Sequence, residues 1–137
     1  MNTLIEQLKI TNALIKPATQ QQIEQAEHQL NIQFSLEYRL YLEEFGVISL
    51  GSKEIYGLGV KDSSYLNLLT IVPDLRQYPG YPSQAVPLLE IGDGHYYLYD
   101  NYNQKILMWA IPNGGKPQEI EESLENFLIK QLSKQNS

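Results

Sequence analysis

A chain of 137 residues, 42% hydrophobic and 19% charged, has the length of one domain and enough apolar material for a continuous core, which excludes a two-domain enzyme and an intrinsically disordered chain. The formal net charge of −6 repels polyanions at long range and excludes nucleic acid and anionic membrane as ready partners. Cysteine is absent, so a disulfide framework, a thiolate metal site and a cysteine nucleophile fall together. Glu6, Gln7 and Lys9 interrupt the apolar residues of the N-terminal stretch, leaving neither a signal-peptide core nor a membrane-spanning run, so a cytoplasmic location is expected.

In chain order, Leu4, Ile5 and Leu8 recur at helical spacing and predict a leading helix within residues 1–16, ended by Pro17. Thr19 and Gln22 form a capping box for a second helix with Ile23, Ala26 and Leu30 on one stripe. Ser35 caps a third, whose Tyr38, Tyr41, Leu42 and Phe45 fall at i, i+3, i+4 and i+7 before Gly46 stops it. Residues 47–50 and 54–58 read as short strands around Gly51 and Ser52, with Gly57 and Gly59 marking a bulge or a close backbone approach. Residues 70–77 stay open between a short helix and an irregular crossing, because Pro73 fits only near a helix start.

Residues 85–91 are extended, with Pro87 marking an edge strand or a strand start, and Gly92, Asp93 and Gly94 turn the chain into a partner strand at 95–99. After a turn at 100–103, residues 105–111 are nearly all apolar, as in a central strand covered on both faces. Residues 112–117 are loop. Ser123 then caps a closing helix with Leu124, Phe127, Leu128 and Leu132 on one side, and Glu119, Glu121, Glu122 and Glu125 gather near its positive end. The expected fold is α+β: one domain over residues 1–137, mainly an antiparallel meander packed by N-terminal helices and one C-terminal helix.

The segments Ala18-Thr19 to Ile23, Leu30 to Phe34, Leu36-Glu37-Tyr38 to Leu42 and Gly46, and Ile55-Tyr56-Gly57-Leu58 stand in an order that resembles the SUKH superfamily. So do Val86-Pro87-Leu88, Ile91-Gly92-Asp93-Gly94, Tyr96 to Asp100, Lys105 to Trp109 and Ser123 to Leu128. That superfamily includes bacterial toxin-immunity proteins and fungal cell-wall assembly (glucan synthesis) regulators, and the likeness covers about residues 17–131. Phe34-Ser35 replaces the family's usual Leu-Pro, and its double glycine is reduced to Gly46-Val47. The resemblance implies a SUKH-like fold and a non-enzymatic, cytoplasmic immunity protein that neutralises a cognate toxin domain, commonly a basic nuclease. As the second reading it admits an intracellular regulatory or scaffold module of the cell-wall kind, and it brings no catalytic residues to this chain.

The residues themselves offer little catalytic chemistry. His28 and His95 are the only groups that titrate near neutrality, and His28 lies mid-helix facing solvent. Asp93 and His95, two apart, share a strand face, the minimum for a small hydrolase or a metal site, but Asp100 falls on the opposite face and no third ligand appears. Gly114-Gly115-Lys116 lacks the spacing of a phosphate loop, and Gly57 and Gly59 lack a dinucleotide loop's third glycine. No cofactor or metal is therefore expected.

Ten tyrosines against three Phe and one Trp are more informative, because a phenol ring offers contact area at low entropic cost while its hydroxyl stays hydrated. On a regular strand His95, Tyr97 and Tyr99 share a face. If that face is free, it joins Asp93, Asp100 and Tyr102 in an aromatic, acidic patch suited to a basic protein partner, with the chain a monomer or weak dimer.

Overall fold

The computed structural model describes residues 1–112 and 116–133. Its elements are α1 (Asn2–Lys9), β1 (Leu14–Ile15), α2 (Gln20–Leu30), α3 (Leu36–Glu44), β2 (Ile48–Leu50), β3 (Lys53–Ile55), α4 (Leu68–Leu75), β4 (Ala85–Glu90), β5 (His95–Asp100), β6 (Lys105–Ala110), β7 (Gln118–Ile120) and α5 (Leu124–Ser133). The strands form two antiparallel sheets, β1-β2-β3 and β4-β5-β6-β7. The α+β class is as the sequence predicts, with the meander divided between the two sheets.

The capped helices begin where their side chains dictate. Thr19 Oγ1 accepts the Gln22 N–H at 3.1 Å, while the Gln22 side chain accepts the Thr19 N–H at 2.9 Å, so two otherwise orphaned donors are satisfied at the start of α2. Ser35 Oγ does the same for the Tyr38 N–H at the start of α3, and Ser123 Oγ for the Asn126 N–H at the start of α5. The stripes Ile23, Ala26, Leu30 and Tyr38, Tyr41, Leu42, Phe45 are all buried.

Two elements depart from the sequence reading and a third settles what it left open. The leading helix ends at Lys9, well before Pro17, because its apolar stripe runs out at Leu8 and the Thr11 hydroxyl takes the Leu8 carbonyl. The chain beyond it becomes β1, with Lys16 N–H donating to Phe45 O at 2.8 Å. Residues 68–75 settle as a helix although Pro73 stands inside it, since burial of Leu68, Val72 and Leu75 outweighs the one backbone bond that proline removes. Finally, β7 pairs Ile106 with Ile120 in a segment that the sequence shows only as acidic. Part of the predicted loop 112–117, Gly114 and Gly115 included, lies outside the described residues.

The edge position of β4 fits Pro87, and a bulge between Pro87 and Leu89 breaks its register with β5. The outer side of β4 still finds a partner: Leu88 O accepts the Tyr56 N–H at 2.9 Å, which joins the two sheets. Beside that junction the backbone crosses itself at contact distance. A Cβ on Gly57 would stand 1.6 Å from Gly46 O, and one on Gly59 would stand 1.8 Å from Lys16 O. The close approach expected at these two glycines is therefore real, and no other residue fits.

The larger sheet is covered on both faces. Tyr99 stacks on Tyr38 of α3 at 5.6 Å and Tyr97 meets Phe127 of α5 edge-on at 4.9 Å, while Tyr96 packs with Tyr56 and Trp109 on the other side. β6 is interior to this sheet, as its apolar run predicts.

Candidate functional site

The β5–β6 turn is built by its own side chains. Asp100, buried, accepts the Tyr102 N–H through Oδ1 at 3.0 Å and the Asn103 amide through Oδ2 at 3.1 Å. Its carboxylate thus ties the turn, as Asx turns do, and Tyr102 is left 81% exposed at the tip. Asn101, 5% exposed, reaches back: its Oδ1 accepts the Ser35 N–H at 2.9 Å and its Nδ2 donates to Gln84 O at 3.0 Å. Gln84 in turn accepts the Gln33 N–H through Oε1 and donates to Asn31 O through Nε2. Glu27 accepts the Phe34 N–H and pairs with Arg39 at 2.8 Å.

The connection between α2 and α3 is therefore held by side-chain amides and a carboxylate instead of a neighbouring strand. It forms one wall of a groove of about 700 Å³ whose other wall is the Tyr102 turn. Two further grooves adjoin it, one of about 410 Å³ sharing Leu36 and Gln104 and one of about 260 Å³ sharing Gln84 and Tyr102. Glu27, Glu37, Asp100 and Glu125 line the three, and among the described residues no lysine or arginine does. Between the grooves stand Leu36, 75% exposed, Leu40, 37% exposed, and Tyr102.

Tyr99 organises this region from inside. Its hydroxyl donates to Glu37 Oε1 at 2.9 Å and lies 2.7 Å from Ser35 Oγ, tying the first turn of α3 to the end of β5. Burial holds its phenol well above the ordinary tyrosine value, with the Glu37 carboxylate acting the same way and the Ser35 contact opposing it.

The six residues expected to form one patch are thus divided. Asp100 and Tyr102 meet at the β5–β6 turn. Asp93 and His95 are exposed at the opposite turn, where the His95 ring faces the Asp93 carbonyl at 3.2 Å and not its carboxylate. The six residues of β5 separate the two turns by roughly 20 Å. Tyr97 is half-buried and Tyr99 only 1% exposed, so the expectation of a free His95, Tyr97, Tyr99 face is corrected: α3 covers Tyr99 and α5 packs on Tyr97, and of the three only His95 stays exposed.

Leu36 and Leu40 were not anticipated, although the sequence held the signal. They are four apart on α3 and off its buried stripe, so they form a second apolar row with no core to meet. Among the described residues no three His, Asp or Glu side chains converge as metal ligands, and no helix is long and apolar enough to cross a membrane.

A family model described as SMI1-KNR4 cell-wall, one of the SUKH group, matches residues 20–128. The chain belongs to the SUKH superfamily. The match runs from the first residue of α2 into α5 and takes in Leu36, Leu40 and Tyr102. No curated protein matches the chain. SUKH proteins are in general binding modules of the immunity or regulatory kind and not catalysts, and they commonly act on protein partners.

Proposed function

We propose that this SUKH chain is a non-enzymatic immunity protein that binds and neutralises a basic, nuclease-type toxin domain in the cytoplasm, using the grooved face around Tyr102. The observation that carries the reading is the coincidence, on one face, of three exposed large apolar side chains with grooves lined by four carboxylates, of which Glu27 is paired with Arg39, and by no lysine or arginine among the described residues. Aromatic and aliphatic anchors supply binding energy where they are desolvated, and charge complementarity selects the partner and speeds encounter. The walls are tied by Asn101, Gln84 and Tyr99 before any partner arrives, which limits the ordering cost of binding.

Of the residues expected from the sequence, Asp100 and Tyr102 belong to this contact, and Asp93 and His95 meet only a partner that extends along the whole of β5. The test is co-expression with the C-terminal domain encoded by the adjacent gene, scoring whether that domain is toxic and growth is rescued, and then measuring affinity. Rescue with tight binding is expected, and Tyr102→Ala should weaken binding by about 2 kcal/mol without changing the melting temperature.

The description carried by the matched family, cell-wall, favours a second reading, a regulatory or scaffold module. Neither rescue nor binding with a folded, toxic neighbour domain would select it.

A further inference from the structure

A separate pocket of about 420 Å³ shares no residue with these grooves and has the opposite chemistry: it is lined by Lys16, Gly59, Val60, Lys61, Ser63 and Ser64, with no carboxylate among them. The neighbouring Asp62 lines a different recess with Gln22 and Gln25.

The carbonyls of this loop are pinned from one side. Asn67, 2% exposed, donates its amide to Val60 O at 3.1 Å and Lys61 O at 3.3 Å, and the Thr70 hydroxyl donates to Asp62 O at 2.6 Å. In a trans, planar peptide the N–H points opposite to the C=O. The N–H groups of Lys61, Asp62 and Ser63 are therefore turned away from Asn67 and Thr70, and among the described residues none of the three has a protein acceptor. Successive N–H groups presented by a turn make a concavity for anions.

The cations beside it are placed by the backbone. Gly59 at φ +91 lets the Lys16 main chain lie directly on it, which brings Lys16 to the pocket. Neither Lys16 nor Lys61 makes an ion pair among the described residues. Ser64 Oγ accepts the Leu66 N–H and keeps its proton to donate, and Ser63 is exposed.

We propose that this pocket binds a tetrahedral oxyanion of the phosphate class, free or as a phosphomonoester. The N–H groups of Lys61 and Ser63 and the hydroxyls of Ser63 and Ser64 hold its oxygens, while Lys16 and Lys61 neutralise its charge.

The test is amide-resolved NMR titration of the full chain with inorganic phosphate, against sodium chloride at matched ionic strength, with phosphoserine in a parallel arm. Saturable shifts at Lys61 and Ser63 are expected, and Lys16→Ala with Lys61→Ala, both at exposed positions, should weaken binding about tenfold or more. Tighter binding of phosphoserine identifies a monoester as the ligand, and equal or weaker binding identifies the free anion. Shifts no larger than in chloride, or unchanged in the double variant, overturn the proposal.

Discussion

Tyr38 and Tyr99 stack on each other, yet only one of their hydroxyls is used. The Tyr38 hydroxyl is buried without a hydrogen-bond partner among the described residues, whereas that of Tyr99 bonds Ser35 and Glu37. Removing an unsatisfied buried hydroxyl recovers its desolvation cost, while removing a paired one forfeits the bond. Tyr38→Phe should therefore leave stability unchanged or raise it by up to about 1 kcal/mol, and Tyr99→Phe should lower it by about 1 kcal/mol, both by urea melts. Equal losses at the two positions would contradict this account. Burial is also the first cause that holds the phenols of Tyr38, Tyr41, Tyr56, Tyr81, Tyr96 and Tyr99 above their ordinary value of 10.0. Above that pH the unfolded chain releases protons that the folded one retains, so the slope of stability against pH is negative. Stability contributed by these groups should be intact at about pH 8 and fall as pH rises past about 10, with the phenolate absorbance of these six rings, as distinct from that of exposed rings such as Tyr102, appearing together with unfolding. Phenolate absorbance amounting to all ten tyrosines in the folded protein near pH 10 would show the six rings to be more open than their packing implies.

Among the elements, the capped helices were legible in the sequence because Thr19, Ser35 and Ser123 act on donors three residues away. The hairpin at Gly92–Gly94 was legible for the same local reason. What stayed hidden depends on distant partners: β1 exists because Ile48 and Ser49 receive it, and β7 because Ile106 does. The site was half legible. Tyr102 and Asp100 could be read from turn chemistry, but whether the Tyr97 and Tyr99 face was free depended on where α3 and α5 pack, which no strand periodicity states. The glycine crossing tests this level directly. Gly57→Ala drives a methyl into the Gly46 carbonyl, with the Tyr41 ring beside it, and should cost roughly 3 kcal/mol or more. Gly92→Ala meets nothing within 4 Å at φ +101 and should cost about 1 kcal/mol by the same melts. Asn101→Ala strips two bonds from a buried turn and should cost about 2 kcal/mol while loosening the groove wall. A Gly57→Ala protein as stable as the parent would mean that the crossing is looser than drawn.

The molecule as a whole separates its charges: four carboxylates line one set of grooves, and two lysines line a pocket apart from them. With a net charge of −6, a basic partner is steered toward the acidic face, and salt should lower the association rate far more than it raises dissociation. Stopped-flow association at rising ionic strength checks this, and a rate indifferent to salt would remove steering from the account. The central claim is that the Leu36–Tyr102 face is the contact surface. The most direct measurement is the affinity of the proposed partner, the domain encoded by the adjacent gene, for the parent chain, for Tyr102→Ala and Leu36→Ala, and for His95→Ala at the far turn. The account predicts that the first two weaken binding by about tenfold or more each while His95→Ala leaves it unchanged, and affinity lost at His95 but kept at Leu36 and Tyr102 would contradict it.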